Sequence, residues 1–578
     1  MNADRFLELY EQISEAPDAI VRLRRFVLDL AVRGKLVEQD PGDEPASQLL
    51  KRIEVEKAQI VGDGKFKRYE GKFERNQEAF AFQLPTNWHW CYLDDVAAIA
   101  RGGSPRPIKS YLTDEPNGIP WIKIGDSTRG SIYIDNTAER IKAEGLAKSR
   151  LVVPGDLLLS NSMSFGFPYI TNVEGCIHDG WLVIRTPEKL ISKLFLYTLF
   201  LSEHAKRSFA EAASGAVVQN LNADKVRQLT VPLPPLAEQH RIVAKVDELM
   251  ALCDRLEEAR KTREETRDKL TAASLARLTA PDTTPEDFPA HARFALEALP
   301  ALTKRPDQIK TLRQTILNLA VRGKLVEQDP EDEPASELLQ QIKVEQAVLA
   351  KAGKMKKPKR LPAIDSELVP FELPVGWVWA RFPELGIFGR GKSKHRPRND
   401  PALYSDGKIP FVQTGDVARS KGLITSSTSF YNDVGLAQSM LWPRGTMCIT
   451  IAANIADSGI LDFDACFPDS VVGLVPASMF DSAKYFEYFI RTAKANLFEF
   501  APATAQKNIN LGILETVLIP LPPLAEQHRI VAKVDALMAL CDRLEAALTT
   551  ADTTRTCLLE ALLHEALEPS ANVLAAAE

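Results

Sequence analysis

The pattern of apolar residues after the proline pair at 234–235 predicts a long helix with a single seam. The apolar positions alternate at intervals of four and three residues, which is the spacing of a coiled-coil seam. The helix is expected to begin near Leu236, because proline is favoured just before or at a helix start. The charged stretch EEARKTREETRDKL continues it to about residue 277, where it would extend beyond its packing partner and reach ~60 Å at ~1.5 Å per residue. The seam consists of Ile242, Val246, Leu249, Cys253 and Leu256.

The same helix occurs twice. LPPLAEQHRIVAKVDELMALCDRLE at 233–257 returns at 521–545 with one change, Glu248 to Ala536. A second segment, LAVRGKLVEQDPGDEPASQLL at 30–50, returns at 319–339 with two changes. It reads as an amphipathic helix closed by Gly34 or Gly323, followed by a turn and a second helix. A period this long indicates two duplicated halves and not a short-repeat array.

Between the helical segments the amino-acid composition changes. Residues 82–232 and 371–520 are rich in glycine, proline and short β-type runs such as SRLVVPGDLLLS and GTMCITIAA. This composition, with its short strand-like runs, predicts two mixed α+β modules of roughly 150 residues each. Residues 281–306 and 353–370 are expected to be linkers. The predicted division is 1–80 N-terminal helical region, 81–235 first module, 236–352 central helical region, 353–523 second module and 524–578 C-terminal helical region.

Bulk composition narrows the class of protein. The 578 residues are 45% hydrophobic and 26% charged, as in an ordinary globular protein of several domains. No apolar run approaches the ~18–20 residues needed to span a bilayer, and the acidic start does not look like a signal peptide. Seven cysteines without a C-x-x-C pair favour reduced thiols and a cytoplasmic location. The net charge of −6 means that any affinity for nucleic acid comes from local patches.

Local charge distinguishes the two modules. Residues 381–421 carry nine Lys/Arg against four Asp/Glu, a net of +5, whereas the equivalent residues 92–132 carry five of each. Two basic Gly/Ser/Pro loops, RGGSPRPIKS and FGRGKSKHRPRND, occupy equivalent positions. Such loops can follow a phosphate backbone and place an arginine against a guanine edge, although a charge run is more often a solvated face. The candidate DNA contacts are Arg101, Arg106, Lys109, Lys123, Arg129, Arg390, Lys392, Lys394, Arg396, Arg398 and Lys421.

Catalytic and cofactor motifs are not found. GIFGRGKS at 386–393 matches the phosphate-binding-loop pattern, but the prolines that follow are hostile to the helix such a loop requires. His240 and His528 read as surface or interface residues, and Cys253 and Cys541 as small apolar seam residues. Asp156 has no nuclease Glu-x-Lys partner and reads as a turn residue. No catalytic residue and no metal site are predicted.

The duplicated segments together with two unlike modules resemble the specificity (S) subunit of type I restriction–modification systems, over essentially the whole chain. The resemblance implies a non-catalytic DNA reader whose two modules are target recognition domains. It also implies an α+β fold with pseudo-twofold duplication, in which the long helices pair as an antiparallel coiled coil. The target would be bipartite and asymmetric double-stranded DNA. The N-terminal helices are expected to pack with the C-terminal helix.

The resemblance also implies partners. Two methyltransferase (M) subunits would dock on the matched helices and carry S-adenosylmethionine, and restriction (R) subunits would add Mg- and ATP-dependent activities, with no cofactor in this chain. Recent duplication is the alternative reason for the matched helices. A single-chain methyltransferase or nuclease and a protein scaffold without DNA are the alternative functions. The proposed docking residues are Leu236, Glu238, Gln239, His240, Arg241, Ile242 and Lys245, with Leu524, Glu526, Gln527, His528, Arg529, Ile530 and Lys533 in the second copy.

Overall fold

The computed structural model divides the chain into two compact units. Unit 1 contains residues 1–262 and 552–578, and unit 2 contains residues 263–551. The boundaries between the units fall inside the two long helices. The contacts of the structure therefore define two units, whereas the sequence pattern predicts five segments. The structure describes residues 14–62, 66, 80–161, 166–213, 221–280, 284, 286–353, 355, 361–365, 367, 369–395, 397–452, 455–494, 497 and 510–567.

Unit 1 begins with two helices, continues through a sheet-containing module and leads into the first long helix. The described helices are α1 Ala19–Val32, α2 Ala46–Gly62, α3 Leu93–Val96, α4 Lys193–Leu201, α5 Glu203–Ala213, α6 Ala223–Arg227 and α7 Leu236–Thr279, with 3-10 turns at Ile108–Ser110, Ile124–Asp126 and Ala143–Lys148. The strands are β1 His89–Tyr92, β2 Ala98–Arg101, β3 Leu112–Thr113, β4 Ile119–Ile122, β5 Tyr133–Ile134, β6 Glu139–Ile141, β7 Arg150–Val152, β8 Leu157–Ser160, β9 Pro168–Thr171, β10 Gly175–Ile177, β11 Trp181–Arg185 and β12 Thr230–Leu233.

Three sheets build the module of unit 1. One has the strand order β2-β11-β8-β9-β5, the second β3-β6-β4-β10-β7, and β1 pairs with β12. Only β5–β9 and β4–β10 are parallel pairs. The strands of the first sheet are almost continuously apolar and buried, as expected for strands covered on both faces.

Unit 2 repeats this plan. Its helices are α8 Phe288–Leu302, α9 Pro306–Val321, α10 Ala335–Lys351, α11 Thr414–Arg419, α12 Asp433–Ala437, α13 Lys484–Ala493, α14 Leu511–Thr516 and α15 Leu524–Leu567, with 3-10 turns at Phe382–Glu384 and Pro401–Leu403. Its strands are β13 Val378–Ala380, β14 Gly386–Arg390, β15 Ile409–Phe411, β16 Gly422–Ile424, β17 Ser429–Tyr431, β18 Leu441–Trp442, β19 Met447–Thr450, β20 Ser458–Leu461, β21 Ala465–Cys466, β22 Val471–Pro476 and β23 Ile519–Leu521.

The first sheet of unit 1 is matched strand for strand in unit 2, whereas the second sheet has one strand fewer among the described residues of unit 2. The order β14-β22-β19-β20-β16 reproduces β2-β11-β8-β9-β5, a four-stranded sheet has the order β17-β15-β21-β18, and β13 pairs with β23. The parallel pair β16–β20 corresponds to β5–β9. Two sheet-containing domains with a long helix connecting them are thus the observed architecture, as the sequence predicts.

The seam of α7 packs inward within unit 1. Ile242 and Val246 are buried in the same core cluster as Val27 and Leu28 of α1 and the strands of the module. α7 begins at Leu236 and ends at Thr279, close to the predicted limits. The glycine after α1 is required twice over: Gly34 has φ +67°, and an added Cβ would lie 2.5 Å from Cγ of Pro85.

The last helix closes unit 1. Leu559, Leu562 and Leu563 of α15 form a buried cluster with Ala16 and Ala19 beside α1. Arg22 of α1 lies 2.9 Å from Glu560, and Arg24 bonds Asp254 of α7 at 2.6 Å. The predicted packing of the N-terminal helices with the C-terminal helix is confirmed.

Unit 2 contains the corresponding helical arrangement. α9 packs in one core with Ile530 and Val534 of α15, and Arg313 of α9 bonds Asp542 at 2.6 Å. The charged end of α7 was expected to lack a packing partner, and that expectation is wrong: Arg305 pairs with Asp268 at 2.9 Å.

The predicted linker at 281–306 is also wrong over most of its length, because α8 occupies Phe288–Leu302. In the linker expected at 353–370, the described residues 353, 355, 361–365, 367 and 369–370 form no helix or strand, as a linker requires. The antiparallel pairing of α7 with α15 concerns both units and stays a prediction.

Candidate nucleic-acid interface

The basic loop of unit 1 follows strand β2 and is held against the turn that precedes β11. Arg101 donates from Nε to the carbonyl of Asp179 at 3.0 Å, and Ser104 donates to Asp179 Oδ1 at 2.8 Å. Arg106 is 83% exposed, and its Nη2 lies 3.6 Å from Asp179 Oδ2. Burial opposes ionisation of Asp179, but the Ser104 hydrogen bond and the charges of His178 and Arg101 outweigh it and lower its pKa. Asp179 therefore organises two arginines while leaving Arg106 in solvent.

Unit 2 places its basic loop in the same way. Arg390, the last residue of β14, donates to the carbonyl of Asp469, and Arg398 lies 2.5 Å from the Asp469 carboxylate. Arg390 corresponds to Arg101. Arg101 ends β2, which pairs with β11, and Arg390 ends β14, which pairs with the equivalent strand β22. The structure thus brings Arg101 and Arg106 together at one aspartate, and Arg390 and Arg398 together at another.

A glycine after each strand lets the two loops approach. A Cβ on Gly102 would lie 2.2 Å from the carbonyl oxygen of His178, and one on Gly391 would lie 2.4 Å from that of Pro468. No side chain fits at either position, so the glycines fix how closely each basic loop packs on its supporting turn.

The loop of unit 2 has further supports. Gln438 Oε1 accepts hydrogen bonds from the backbone N–H of Lys394 at 2.6 Å and of His395 at 3.0 Å. Ser439 donates to the carbonyl of Lys392 at 2.7 Å. The side chains of this loop are therefore presented from a fixed backbone, as base recognition requires.

The remaining basic candidates differ in their surroundings. Lys109 is exposed, and Lys123 pairs with Glu139 at 2.6 Å. Arg129 stacks 5.3 Å above the ring of Phe167. Lys421 belongs to a separate cleft of unit 2, and Arg396 lies outside the described residues.

The phosphate-binding-loop pattern at 386–393 does not form such a loop. Residues Gly386–Arg390 are strand β14, and the next helical turn is the 3-10 turn Pro401–Leu403. Because no helix N-terminus follows the glycines, the pattern carries no nucleotide-phosphate function.

The two duplicated segments bind each other. Arg241 pairs with Asp43 at 2.7 Å, and Gln39 donates to Glu238 Oε1 at 2.7 Å. Gln239 accepts from the backbone N–H of Ser192 at 2.8 Å. These contacts fasten the start of α7 to the loop between α1 and α2 and to the start of α4, and we call them the helix-start lock.

The lock recurs in unit 2. Arg529 pairs with Asp332 at 2.7 Å, and Trp377 donates from Nε1 to Glu526 at 2.8 Å. Burial raises the pKa of Glu238 and of Glu526, while hydrogen bonds from neighbouring side chains oppose that rise.

Six of the predicted docking residues are wrong. Their side chains are buried within their own units and cannot contact a partner. Arg241 and Arg529 are about one-third exposed and are already paired. The half-buried or exposed candidates that remain are Leu236, His240, Lys245, Leu524, His528 and Lys533. The corrected residues are Glu238, Gln239, Ile242, Glu526, Gln527 and Ile530.

The outward side of each long helix is matched in both copies. Helical spacing places these residues on the side opposite the buried seam. Leu252 and Leu540 are unusual among them, being 42% and 49% exposed. We call this the outer face. It consists of Ala237, His240, Ala244, Ala251, Leu252 and Arg255, with Ala525, His528, Ala532, Ala539, Leu540 and Arg543 in the second copy.

No described helix is long and apolar enough to cross a membrane. None of the seven cysteines forms a disulfide bond, and six of them are buried.

Comparison with known proteins gives one consistent answer. Residues 85–265 and 374–551 both match the family described as type I restriction modification DNA specificity domain. The specificity subunit of type I restriction enzyme EcoAI from Escherichia coli is 31% identical over 572 residues, covering 95% of this chain and 94% of the relative. The EcoEI specificity subunit from the same species is 31% identical over 576 residues, with the same coverage.

Solved structures give a corresponding match. The HsdS subunit from Thermoanaerobacter tengcongensis is 20% identical, with a TM-score of 0.44, covering 85% of this chain and 99% of that one.

Proposed function

The chain belongs to the type I restriction modification DNA specificity family, and from that premise we propose that it is the subunit that reads a bipartite, asymmetric target in double-stranded DNA. The observation that carries the proposal is the shared support of the two basic loops. Arg101 and Arg390 end equivalent strands and bond equivalent aspartate carbonyls. The same backbone arrangement thus presents different side chains in the two units, as recognition of two unlike half-sites would require.

The lysines and the arginines of the two loops suit different kinds of DNA contact. The exposed lysines Lys109 and Lys394 suit phosphate contacts, which position the protein on the duplex. Arg106 and Arg398 extend from organised loops beside acidic anchors, and an arginine fork matches the O6/N7 edge of guanine. Because the two loops differ in sequence, the two half-sites would differ too.

We infer that the outer face docks one methyltransferase subunit on each unit. Buried residues of a duplicated helix stay alike because they hold the fold, whereas exposed residues are free to differ. The match at exposed Leu252 and Leu540, and at His240 and His528, supports two identical partners. Restriction subunits would join the complex.

Catalysis is assigned to those partners. S-adenosylmethionine, Mg and ATP would bind to the methyltransferase and restriction subunits, and this chain would be non-catalytic. Seven cysteines that form no disulfide suit a reducing compartment, so the proposed location is the cytoplasm.

Methylation mapping tests the proposal. The chain is expressed with its own methyltransferase subunit in a methylation-free host, and methylated adenines are mapped across the genome. The expected result is one non-palindromic motif of two parts separated by a spacer of fixed length. A palindromic motif, or the same motif with the chain omitted, would contradict the proposal.

A further inference from the structure

Unit 2 contains an open cleft of about 830 Å³ that lies apart from the basic loop. Helices α9, α13 and α15 and strands β16 and β20 contribute to its lining. We call it the Glu487 cleft. The residues used below are Lys310, Lys421, Leu423, Ser458, Glu487 and Arg491.

The floor of the cleft is a buried carboxyl group. Glu487 is 2% exposed, and Ser458 donates to its Oε1 at 3.2 Å. Arg491 lies 3.7 Å from Oε2, too far for a strong hydrogen bond. Burial raises the pKa of Glu487 to about 7 despite Arg491 and Ser458. A carboxyl group held this way has acceptor capacity that its own neighbours use only in part.

Unit 1 lacks the charged groups of this floor. The matching ring contacts Trp88–Phe195 and Trp377–Tyr485 and the registers of β9–β5 and β20–β16 fix which positions correspond. Since unit 1 folds without a carboxylate or a guanidinium there, the fold does not require the buried charge, whose burial is costly. The corresponding pairs, unit 2 first, are Glu487 and Tyr197, Arg491 and Leu201, Ser458 and Pro168, and Lys421 and Ser131.

Backbone strain concentrates in the same place. Lys421 has φ +51° and Ala456 has φ +58°, and both line the cleft. Among the described residues only Asp406 shares this left-handed conformation without being glycine. Strain of this kind collects at ligand-binding sites, because the fold alone gains nothing from it.

The charges at the mouth point to an anion. Lys484 and Lys494 are neutralised by Asp535 and Asp457. Lys310 and Lys421 are exposed, and neither has an ion pair with any residue in the described parts of unit 2. The wall between mouth and floor includes Leu423, which is 47% exposed.

We propose that the Glu487 cleft binds a nucleotide. Its base would lie against Leu423 and donate an N–H to Glu487, and its phosphate would bind Lys310 and Lys421. The cleft volume lies within the range of small-ligand sites. The ligand could come as a free mononucleotide or as one unit of a single strand, since both carry the same chemistry. This inference does not depend on how the basic loops read DNA.

Calorimetric titration of the full-length chain tests the inference. The probes are AMP, ATP and a single-stranded hexanucleotide. The expected result is one nucleotide per chain, with affinity reduced about tenfold or more by Lys421→Ser, which introduces the residue of unit 1 at an exposed site. Glu487→Leu combined with Arg491→Leu, which removes both charged groups from the floor as in unit 1, should abolish binding. Lys343→Ser, an exposed lysine of α10 outside the cleft, is the matched control.

The outcomes are distinct. Binding of the hexanucleotide alone, weakened by Lys421→Ser, would assign the cleft to a nucleotide within a strand. No binding by the unaltered chain at millimolar nucleotide would overturn the inference. So would two nucleotides per chain, or equal affinities for Lys421→Ser and Lys343→Ser. An unchanged thermal unfolding transition shows that the double variant keeps its fold.

Discussion

Arg241 at the start of α7 and Asp43 after α1 form an ion pair of 2.7 Å, although 198 residues separate them in the chain. Arg529 and Asp332 repeat the pair in unit 2. The two duplicated segments are therefore matched in part because each is the binding surface of the other. Neither partner docking nor recent duplication is needed to explain identity at these buried positions.

We expect Asp43→Ala to destabilise unit 1 by about 1–2 kcal/mol, because Arg241, which is about one-third exposed, would lose the partner that neutralises it. The change is measured as a shift of the first thermal unfolding transition. Glu44→Ala is the control, since Glu44 pairs with the exposed Arg52 and such pairs contribute about 0–1 kcal/mol. Equal shifts for the two variants would show that the lock has no special role.

Arg106→Ala and Arg398→Ala should each relax recognition of one half-site. The expected loss is about 1–3 kcal/mol of binding free energy for the matched target, and less for targets already altered in that half. Binding is measured by fluorescence anisotropy on duplexes mutated in either half. Arg444→Ala, another exposed arginine of unit 2, is the control. A uniform loss on every duplex would identify a phosphate contact instead.

Leu252→Asp and Leu540→Asp should each remove one methyltransferase subunit from the complex, and the double variant should remove both. A charge placed in the centre of an apolar contact is left without solvent and without a partner. Stoichiometry is read from the mass of the purified assembly. Leu296→Asp is the control, because Leu296 is 70% exposed and lies on α8, outside the outer face. Full complexes from the double variant would exclude the outer face.

Glu487→Gln should stabilise unit 2 at pH 8 and have little effect at pH 5. The folded-state pKa of Glu487 is about 7, above its ordinary value of 4.5, so its contribution to stability is fully present below pH 4.5 and lost as pH rises to 7. The expected gain at pH 8 is roughly 2–3 kcal/mol. Urea midpoints at the two pH values measure it, with the exposed Glu337→Gln as control. Equal midpoints at both pH values would contradict the shift.

The long helices and their limits can be predicted from sequence, because apolar residues at intervals of three and four, bounded by proline or glycine, indicate a helix of defined length. α7 begins at the predicted Leu236, and Gly34 and Gly323 take the left-handed conformation assigned to them. α8 is missed because Pro289 and Pro300 suggest a linker, yet proline is tolerated in a first helical turn and near a helix end.

The candidate interface is predicted only in part. Arg101 and Arg390 are found from charge and loop character. Asp179 and Asp469 are missed because their carbonyl and carboxylate contacts join them to arginines more than 70 residues away in the chain, although both lie two residues before a buried strand at matching positions. Gln438 could not be found, because its partners Lys394 and His395 lie more than 40 residues away.

The buried contact between Ala16 and Ala19 at one end of the chain and Leu559 and Leu562 at the other has a consequence for biosynthesis. The cluster can form only after Leu559 and Leu562 have been translated, when every residue of unit 2 has already been made. A chain terminated before Leu559 would therefore lack the buried partners of Ala16 and Ala19, although all of unit 2 would have been translated.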